Sequence, residues 1–388
     1  MFVYNFFMVR KIVTNKQIDT EKIFKDVPYS PNKLIFCDIE TTGLSRQANH
    51  IYLIGLGQLK GNTLSITQYF AESVMDERNL LSDFAKDCSL FLDEGLSFVT
   101  YNGDKFDMPF INTRLEEHNI AFTIPEGASL DLYHKAKSLS SVVKLPNHRQ
   151  KTIEIFLHID RDDIYTGREL IKVYNTFQKT GNEELIPALL LHNLDDVAGL
   201  CRLFSIYSAE KDYINFKKQL DVSTVNIKKN SYKDYSGNES WETIIRFELS
   251  RELINPINIT TNGFFLKAEK NTGVISVKEI STCLKYFFAD YKNYYYLPEE
   301  DTCIHKDLAA FVESSHKEKA KPENCFVKKD AIFIPILCQS ILFNGKELPI
   351  FKENNNSTDC FIEIDDAKRN DDAFWKAYIK ANITENLS

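Results

Sequence analysis

Apolar positions along the first two hundred residues switch between a strand period and a helix period, and the switches set the element order. Residues 34–40 form a nearly continuous apolar run with strand character, 51–59 a second and 64–70 a third. Gly61-Asn62 between the last two reads as a hairpin turn. Residues 77–92 then take helical spacing through Leu80, Leu81, Phe84, Leu90 and Phe91. A further strand is expected at 96–101 and a helix at 107–118; after 130–133, helical segments follow at 151–158, 166–179 and 182–208. Three strands followed by alternating helices and strands predict an α/β domain, a mixed sheet flanked by helices.

The flanks carry weaker patterns. Residues 1–32 read as an N-terminal extension, with a candidate strand at 2–9 and then a polar stretch ending at Pro28 and Pro31. Residues 209–241 are polar and lysine-rich (KKNSYKDYSGNES) and read as a linker. Residues 242–388 mix short β-like runs with one helix expected at 307–320, a smaller α+β region of unknown function. The expected division is therefore 1–32, 33–208, 209–241 and 242–388, and 388 residues are ample for two domains.

Composition narrows the classes. With 43% hydrophobic and 26% charged residues, both parts can build cores. A net charge of −8 argues against a protein that coats duplex nucleic acid through a general basic surface, yet suits an acidic active site. The eight cysteines form no C-x-x-C pair, which points to reduced, packed thiols and no zinc ribbon. No apolar run reaches membrane-span length, and the apolar start lacks a basic n-region and a small-residue cleavage site. A soluble cytoplasmic protein with no membrane partner is the expectation.

The chemistry begins at LIFCDIETTGL. On a strand, residues two apart share a face, so Asp38 and Glu40 project two carboxylates together from an apolar segment. Burying two like charges is costly unless a cation joins them. A second acid, Asp107, follows a strand and the turn Tyr101-Asn102-Gly103; taken alone it reads equally as a first-turn helix acid. His192 and Asp196 are four apart on the last helix and share its face. Asp195 lies about 100° around the same helix, which favours Asp196. Alone, that pair reads as surface charge. Jointly the four carboxylates describe a centre for two Mg²⁺ or Mn²⁺ ions. Oxygen ligands suit such hard cations rather than zinc or copper.

The order DIETTGL, YNGDKFD, HNLDD resembles the DEDD superfamily of 3′–5′ exonucleases, built on a ribonuclease H-like fold. The run TIEIFLHIDRDDIYTGRELIKVYNTFQKTGN ahead of the last motif is similar to that of bacterial YprB-like, ribonuclease H-like domain proteins. The resemblance covers 33–208. It implies Asp38, Glu40, Asp107 and Asp196 as metal ligands and His192 as the residue that orients or deprotonates the water. It further implies that Thr41, Gly43 and Leu44 contact the terminal nucleotide. The implied activity is metal-dependent hydrolysis of phosphodiester bonds at single-stranded DNA or RNA ends. One departure stands out: H-x-x-x-D has the spacing usual for the tyrosine class of these enzymes, with histidine in that place.

Residues 134–151 hold five Lys/Arg and no acid, and Lys135 and Lys137 are the candidate phosphate contacts, with a solvated basic loop as the plainer reading. Asp131 is a candidate auxiliary acid, and Asn102 a candidate brace for the second acidic motif. Seven aromatics crowd 286–296, as either a base-stacking platform or packing positions of a small β structure. Two other functions fit the same fold: a non-catalytic nucleic-acid-binding scaffold, and a ribonuclease H-type endonuclease. The D-x-E start and H-x-x-x-D helix argue against the endonuclease.

Overall fold

The computed structural model describes residues 9–233 and 236–387. The chain divides into two compact units, Met1–Asp212 and Tyr213–Ser388. The first is an α/β layer structure. Its strands are β1 (Val9–Gln17), β2 (Leu34–Thr41), β3 (Ile51–Lys60), β4 (Thr63–Ala71), β5 (Ser97–Thr100) and β6 (Ser129–Asp131). Its helices are α1 (Thr20–Ile23), α2 (Glu77–Asp93), α3 (Asp107–Glu117), α4 (Leu132–Leu139), α5 (Gln150–Phe156), α6 (Gly167–Thr180) and α7 (Ile186–Arg202), with α8 (Ile206–Gln219) straddling the boundary between units.

The sheet order is β1-β4-β3-β2-β5-β6. The β1, β4, β3 and β2 neighbours pair antiparallel, whereas β2–β5 and β5–β6 are parallel. The hairpin between β3 and β4 closes with Lys60 opposite Thr63, and Gly61 takes the left-handed φ of 58° that its tight turn needs. Strand β2 is central, which explains its unbroken apolar reading: both faces are covered. Ile35, Cys37 and Ile39 pack with Leu80, Leu81 and Phe84 of α2 and with Phe110 and Ile111 of α3. A second core joins Tyr52, Leu53 and Phe70 of the sheet to Leu170, Tyr174 and Phe177 of α6 and Leu189 of α7.

Two expectations fail in instructive ways. The 2–9 strand falls almost wholly outside the described residues, but β1 follows it and pairs with β4 from Val9–Ala71 to Gln17–Thr63. The segment 1–32 is thus no mere extension: VRKIVTNKQ alternates half-buried and exposed positions as an edge strand does. Ion pairs of Arg10 with Glu72 and Lys11 with Asp87 fasten it. The segment 209–241 is no linker either, since it holds most of α8 and all of β7 (Val222–Lys233). Its Asn226, Lys228, Lys229 and Lys233 take exposed positions of a paired strand.

The second unit is mainly antiparallel β. Strands β8 (Glu239–Leu249), β9 (Ile257–Thr261), β10 (Phe264–Glu269) and β11 (Thr272–Phe287) join β15 (Phe326–Ile336) and β18 (Cys360–Glu363) in a seven-stranded sheet with β7. The long β11 pairs with β8 and β10 along its first half and with β15 along its second. A small sheet of β12 (Tyr294–Leu297), β13 (Thr302–His305) and β14 (Glu318–Lys319), a pair β16 (Leu342–Phe343) and β17 (Lys346–Glu347), and helices α9 (Lys306–Ala309), α10 (Asp366–Arg369) and α11 (Asp372–Glu385) complete it. The helix expected at 307–320 stops after α9, where the Lys317 ammonium donates to the carbonyls of Ala309 and Val312. The aromatic run packs partly on itself and partly on neighbouring strands: Phe288 stacks on Tyr294 with centroids 4.5 Å apart, Phe287 and Tyr296 meet Phe326, and the Tyr296 hydroxyl donates to Asp301. Among the described residues no helix is long and apolar enough to cross a membrane.

Candidate metal centre

The acidic motifs arrive from three elements. β2 carries Asp38 and Glu40, with a register shift directly after Glu40 where the strand gives way to the following turn. Asp107 is the first residue of α3, and its Oδ1 accepts the Ile39 backbone N–H at 3.3 Å, tying helix start to strand. α7 brings His192, Asn193 and Asp196 across the sheet. That approach depends on Gly55 of β3, where a Cβ would sit 2.4 Å from Asn193 Oδ1 and 2.7 Å from Val197. Asn193, wholly buried, donates from Nδ2 to Asp38 Oδ2 at 2.9 Å and to the Asp38 carbonyl at 3.2 Å. Gln68 of β4 in turn donates to Asn193 Oδ1 at 3.0 Å and orients the amide.

Glu40, His192 and Asp196 form one group whose ligand atoms lie within 4.8 Å of one another. His192 Nε2 is 3.2 Å from Asp196 Oδ2 and 3.5 Å from Glu40 Oε1. Asp38 and Asp107 are near enough for their charges to be felt. Burial first, then the charges of Asp196, Glu40 and Asp107, push the Asp38 carboxyl well above the carboxylate range. Glu40 is raised likewise by burial and by Asp196 and Asp107, and Asp107 is pushed up to about 7, chiefly by burial. Side chains of this kind resist ionisation unless a cation compensates them. The donor set, four carboxylates and an imidazole, fits hard divalent ions.

Asp195 turns elsewhere, accepting the backbone N–H groups of Asp162 and Asp163 at 2.8 and 2.9 Å. It thereby anchors a loop that the motif reading passed over. Asp163 in that loop bonds His192 Nδ1 at 2.7 Å. Arg161 beside it donates to both oxygens of Glu154, and its Nη2 lies 2.7 Å from Asp196 Oδ1 without hydrogen-bond alignment. The sequence signal was the charge-dense DRDD between helical runs, visible only as part of a family likeness.

The substrate candidates are scattered. The turn after β2 is closed by Thr41 Oγ1 donating to the Gly43 carbonyl at 2.7 Å and by the His50 N–H donating to Thr42 Oγ1 at 2.9 Å. It leaves Leu44 84% exposed. Asn102 adopts φ 62°, and it is Asp131 that braces the loop: Oδ1 accepts the Asn102 and Tyr133 N–H groups and Oδ2 the Asp104 N–H. The basic stretch begins on helix α4, which carries Lys135 and Lys137, and ends in the first turn of α5. Lys135 pairs with Glu210 and lies over the Tyr207 ring, Lys137 lies over Tyr133, and Lys151 is committed to Asp163 and the Tyr165 carbonyl.

A profile of the RNase_H superfamily matches residues 35–208. An uncharacterised Bacillus subtilis (strain 168) protein, YprB, is 31% identical over 182 residues, which are 45% of this chain and 42% of that protein. The chain thus spans less than half the length of the curated relative it matches. Among solved structures, E. coli exonuclease I in complex with a dT13 oligonucleotide is similar at TM-score 0.31 and 11% identity, over 55% of this chain and 54% of that one. An exonuclease I/SSB-Ct complex gives TM-score 0.32 and 12% identity over 61% and 55%. The segment 35–208 is thus similar to the RNase_H superfamily, and its mixed sheet flanked by helices is a ribonuclease H-like fold.

Proposed function

We propose that this ribonuclease H-like domain is a 3′–5′ exonuclease that hydrolyses phosphodiester bonds at single-stranded DNA or RNA ends with two Mg²⁺ or Mn²⁺ ions. The observation that carries the reading is the crowding of acids at one place: Glu40 and His192 lie beside Asp196, and burial first, then neighbouring charges that include Asp196, push up the carboxyls of Asp38, Glu40 and Asp107 alike. Asp38, Glu40, Asp107 and Asp196 would hold the ions. When bound, such ions supply an activated water and neutralise charge developing on the phosphate.

The chain's own residues then have separable tasks. His192 presents Nε2 beside Glu40 and Asp196, where it takes the proton of the attacking water. Asn193 holds Asp38 at one fixed orientation. The turn of Thr41 and Gly43 receives the terminal nucleotide, and the exposed Leu44 packs against its base. Asn102 shapes the neighbouring loop together with Asp131, and Lys135 and Lys137, now held against Glu210 and Tyr133, would meet phosphates on leaving those contacts.

The test is incubation with 5′-labelled single-stranded DNA and RNA in Mg²⁺, Mn²⁺ or EDTA, beside the Asp38→Ala/Glu40→Ala variant. The expected result is a ladder that needs metal and vanishes in the variant. Activity surviving the double substitution would sink the site, and cleavage of circular substrates would favour an endonuclease. Binding without cleavage under either metal would instead support a scaffold.

A further inference from the structure

The loop between α5 and α6 holds a carboxylate that the metal chemistry does not use. Asp163 has a side chain with no exposed surface, and its Oδ2 lies 2.7 Å from Nδ1 of His192. The same carboxylate is fixed from three other sides. Lys151 Nζ donates to Oδ2 at 2.9 Å, the Tyr165 N–H donates to Oδ1 at 2.9 Å, and Arg161 Nη2 stands 3.5 Å away. The Asp195 carboxylate clamps the backbone N–H groups of Asp162 and Asp163, so the loop is pinned to the helix that bears His192. Burial alone would raise Asp163, but Lys151, the Tyr165 N–H and His192 hold it below the ordinary carboxylate range. It is a permanent acceptor.

We propose that Asp163 is the positioning residue for His192, an aspartate–histidine pair that sets both the tautomer and the direction of the ring. An acceptor at Nδ1 keeps the hydrogen there, so Nε2 carries the lone pair and is turned toward Glu40 and Asp196. The logic is that of a buried aspartate behind a catalytic imidazole: it does not touch substrate, and it acts through the ring alone. The reading answers the odd spacing of HNLDD. A histidine one helical turn before the last acid needs an external hold on its ring, and the DRDD loop supplies it.

The inference rests on the nuclease reading, and a double-mutant cycle with a spectroscopic arm separates the two. On labelled single strands in Mg²⁺, Asp163→Ala should lower kcat on the order of 100-fold with KM within about twofold, the share of a general base. In a His192→Gln background the same change should cost less than about threefold further, because the residue acts only through the ring. Asp163→Asn, which keeps the size of the side chain, carries the same cycle if the alanine variant does not fold. Loss of equal size in both backgrounds would overturn the proposal, since a merely structural role predicts it. ¹⁵N NMR of labelled histidines in the full chain should show His192 protonated at Nδ1, with that signature lost in the Asp163 variant. If the wild type cleaves nothing, an altered signature still upholds the pairing while the nuclease reading falls; an unaltered signature overturns the pairing.

Discussion

Glu279 of the second unit and the Asp38, Glu40 and Asp107 group of the first are carboxylates withdrawn from water, and their surroundings are opposite. Glu279 meets Arg369 with both oxygens, the Thr243 hydroxyl at 2.6 Å and Lys229 at 3.1 Å. Burial would raise it, and Arg369, Thr243 and Lys229 together outweigh that and lower it. In the first unit the carboxylates face one another and rise together. A buried acid with its own cations is a structural element; a group of buried acids without enough of them has the donor set that a cation would suit. Arg161 shows the partial case, since it serves Glu154 and reaches Asp196 while leaving the other three uncompensated.

Five measurements test this contrast. Glu279→Ala should destabilise the chain by about 3 kcal/mol in chemical denaturation, because the largely buried Arg369 loses its counter-charge and the buried Thr243 hydroxyl its acceptor. Asp38→Ala/Glu40→Ala, measured in EDTA, should instead leave stability unchanged or raised. A loss comparable to that of Glu279→Ala would erase the distinction.

Metal and pH come next. Mg²⁺ or Mn²⁺ at about 100 times its Kd should stabilise the wild type by about 2.7 kcal/mol. The Asp38/Glu40 variant should not respond. Without metal the pH signs are opposed. Asp107 has its folded pKa raised to about 7, so its ionisation costs stability as pH climbs from the ordinary carboxylate range to about 7. Glu279 is lowered, so it stabilises above the ordinary range and that stability is lost as pH falls through its depressed pKa. Thermal melts of Asp107→Asn against wild type across pH 4 to 8 in EDTA should lose the first slope alone.

Asn193→Ala, by freeing Asp38, should cut metal affinity or kcat about 10–100-fold, read by Mn²⁺ titration and strand cleavage. The smallest effect belongs to Leu44→Ala, whose exposed side chain should raise KM a few-fold, on the order of 1 kcal/mol of stacking, with kcat unchanged.

Most of the sheet was legible because its signals are local. The β3–β4 hairpin announces itself by Gly61-Asn62, and α2 by the spacing of Leu80, Leu81 and Phe84. The acids were legible for the same reason, since D-x-E on a strand and H-x-x-x-D on a helix fix which side chains share a face. What escaped was held by partners distant in sequence. The edge strand β1 is fixed by pairing with β4 some fifty residues on, whereas β7 pairs with its hairpin neighbour β8 and was disguised by its polar surface residues. Asp163, Arg161 and Gln68 escaped because their meaning lies in what they touch across 29, 35 and 125 residues of chain. The lysines of 135, 137 and 151 looked free in sequence; Lys137 meets Tyr133 one turn back on its own helix, but Lys135 and Lys151 are engaged by Glu210 and Asp163 from other elements.

The sequence by itself determined that carboxylates would stand together on β2 and that a histidine and an acid would share one face of α7, because side-chain periodicity is a property of the local backbone. Only the tertiary structure decided that these faces meet, that Asn193 and Gln68 lock Asp38, and that Asp163 stands behind His192. Charges in a closed pocket take their value from every neighbour within a few ångströms, and those neighbours are chosen by packing.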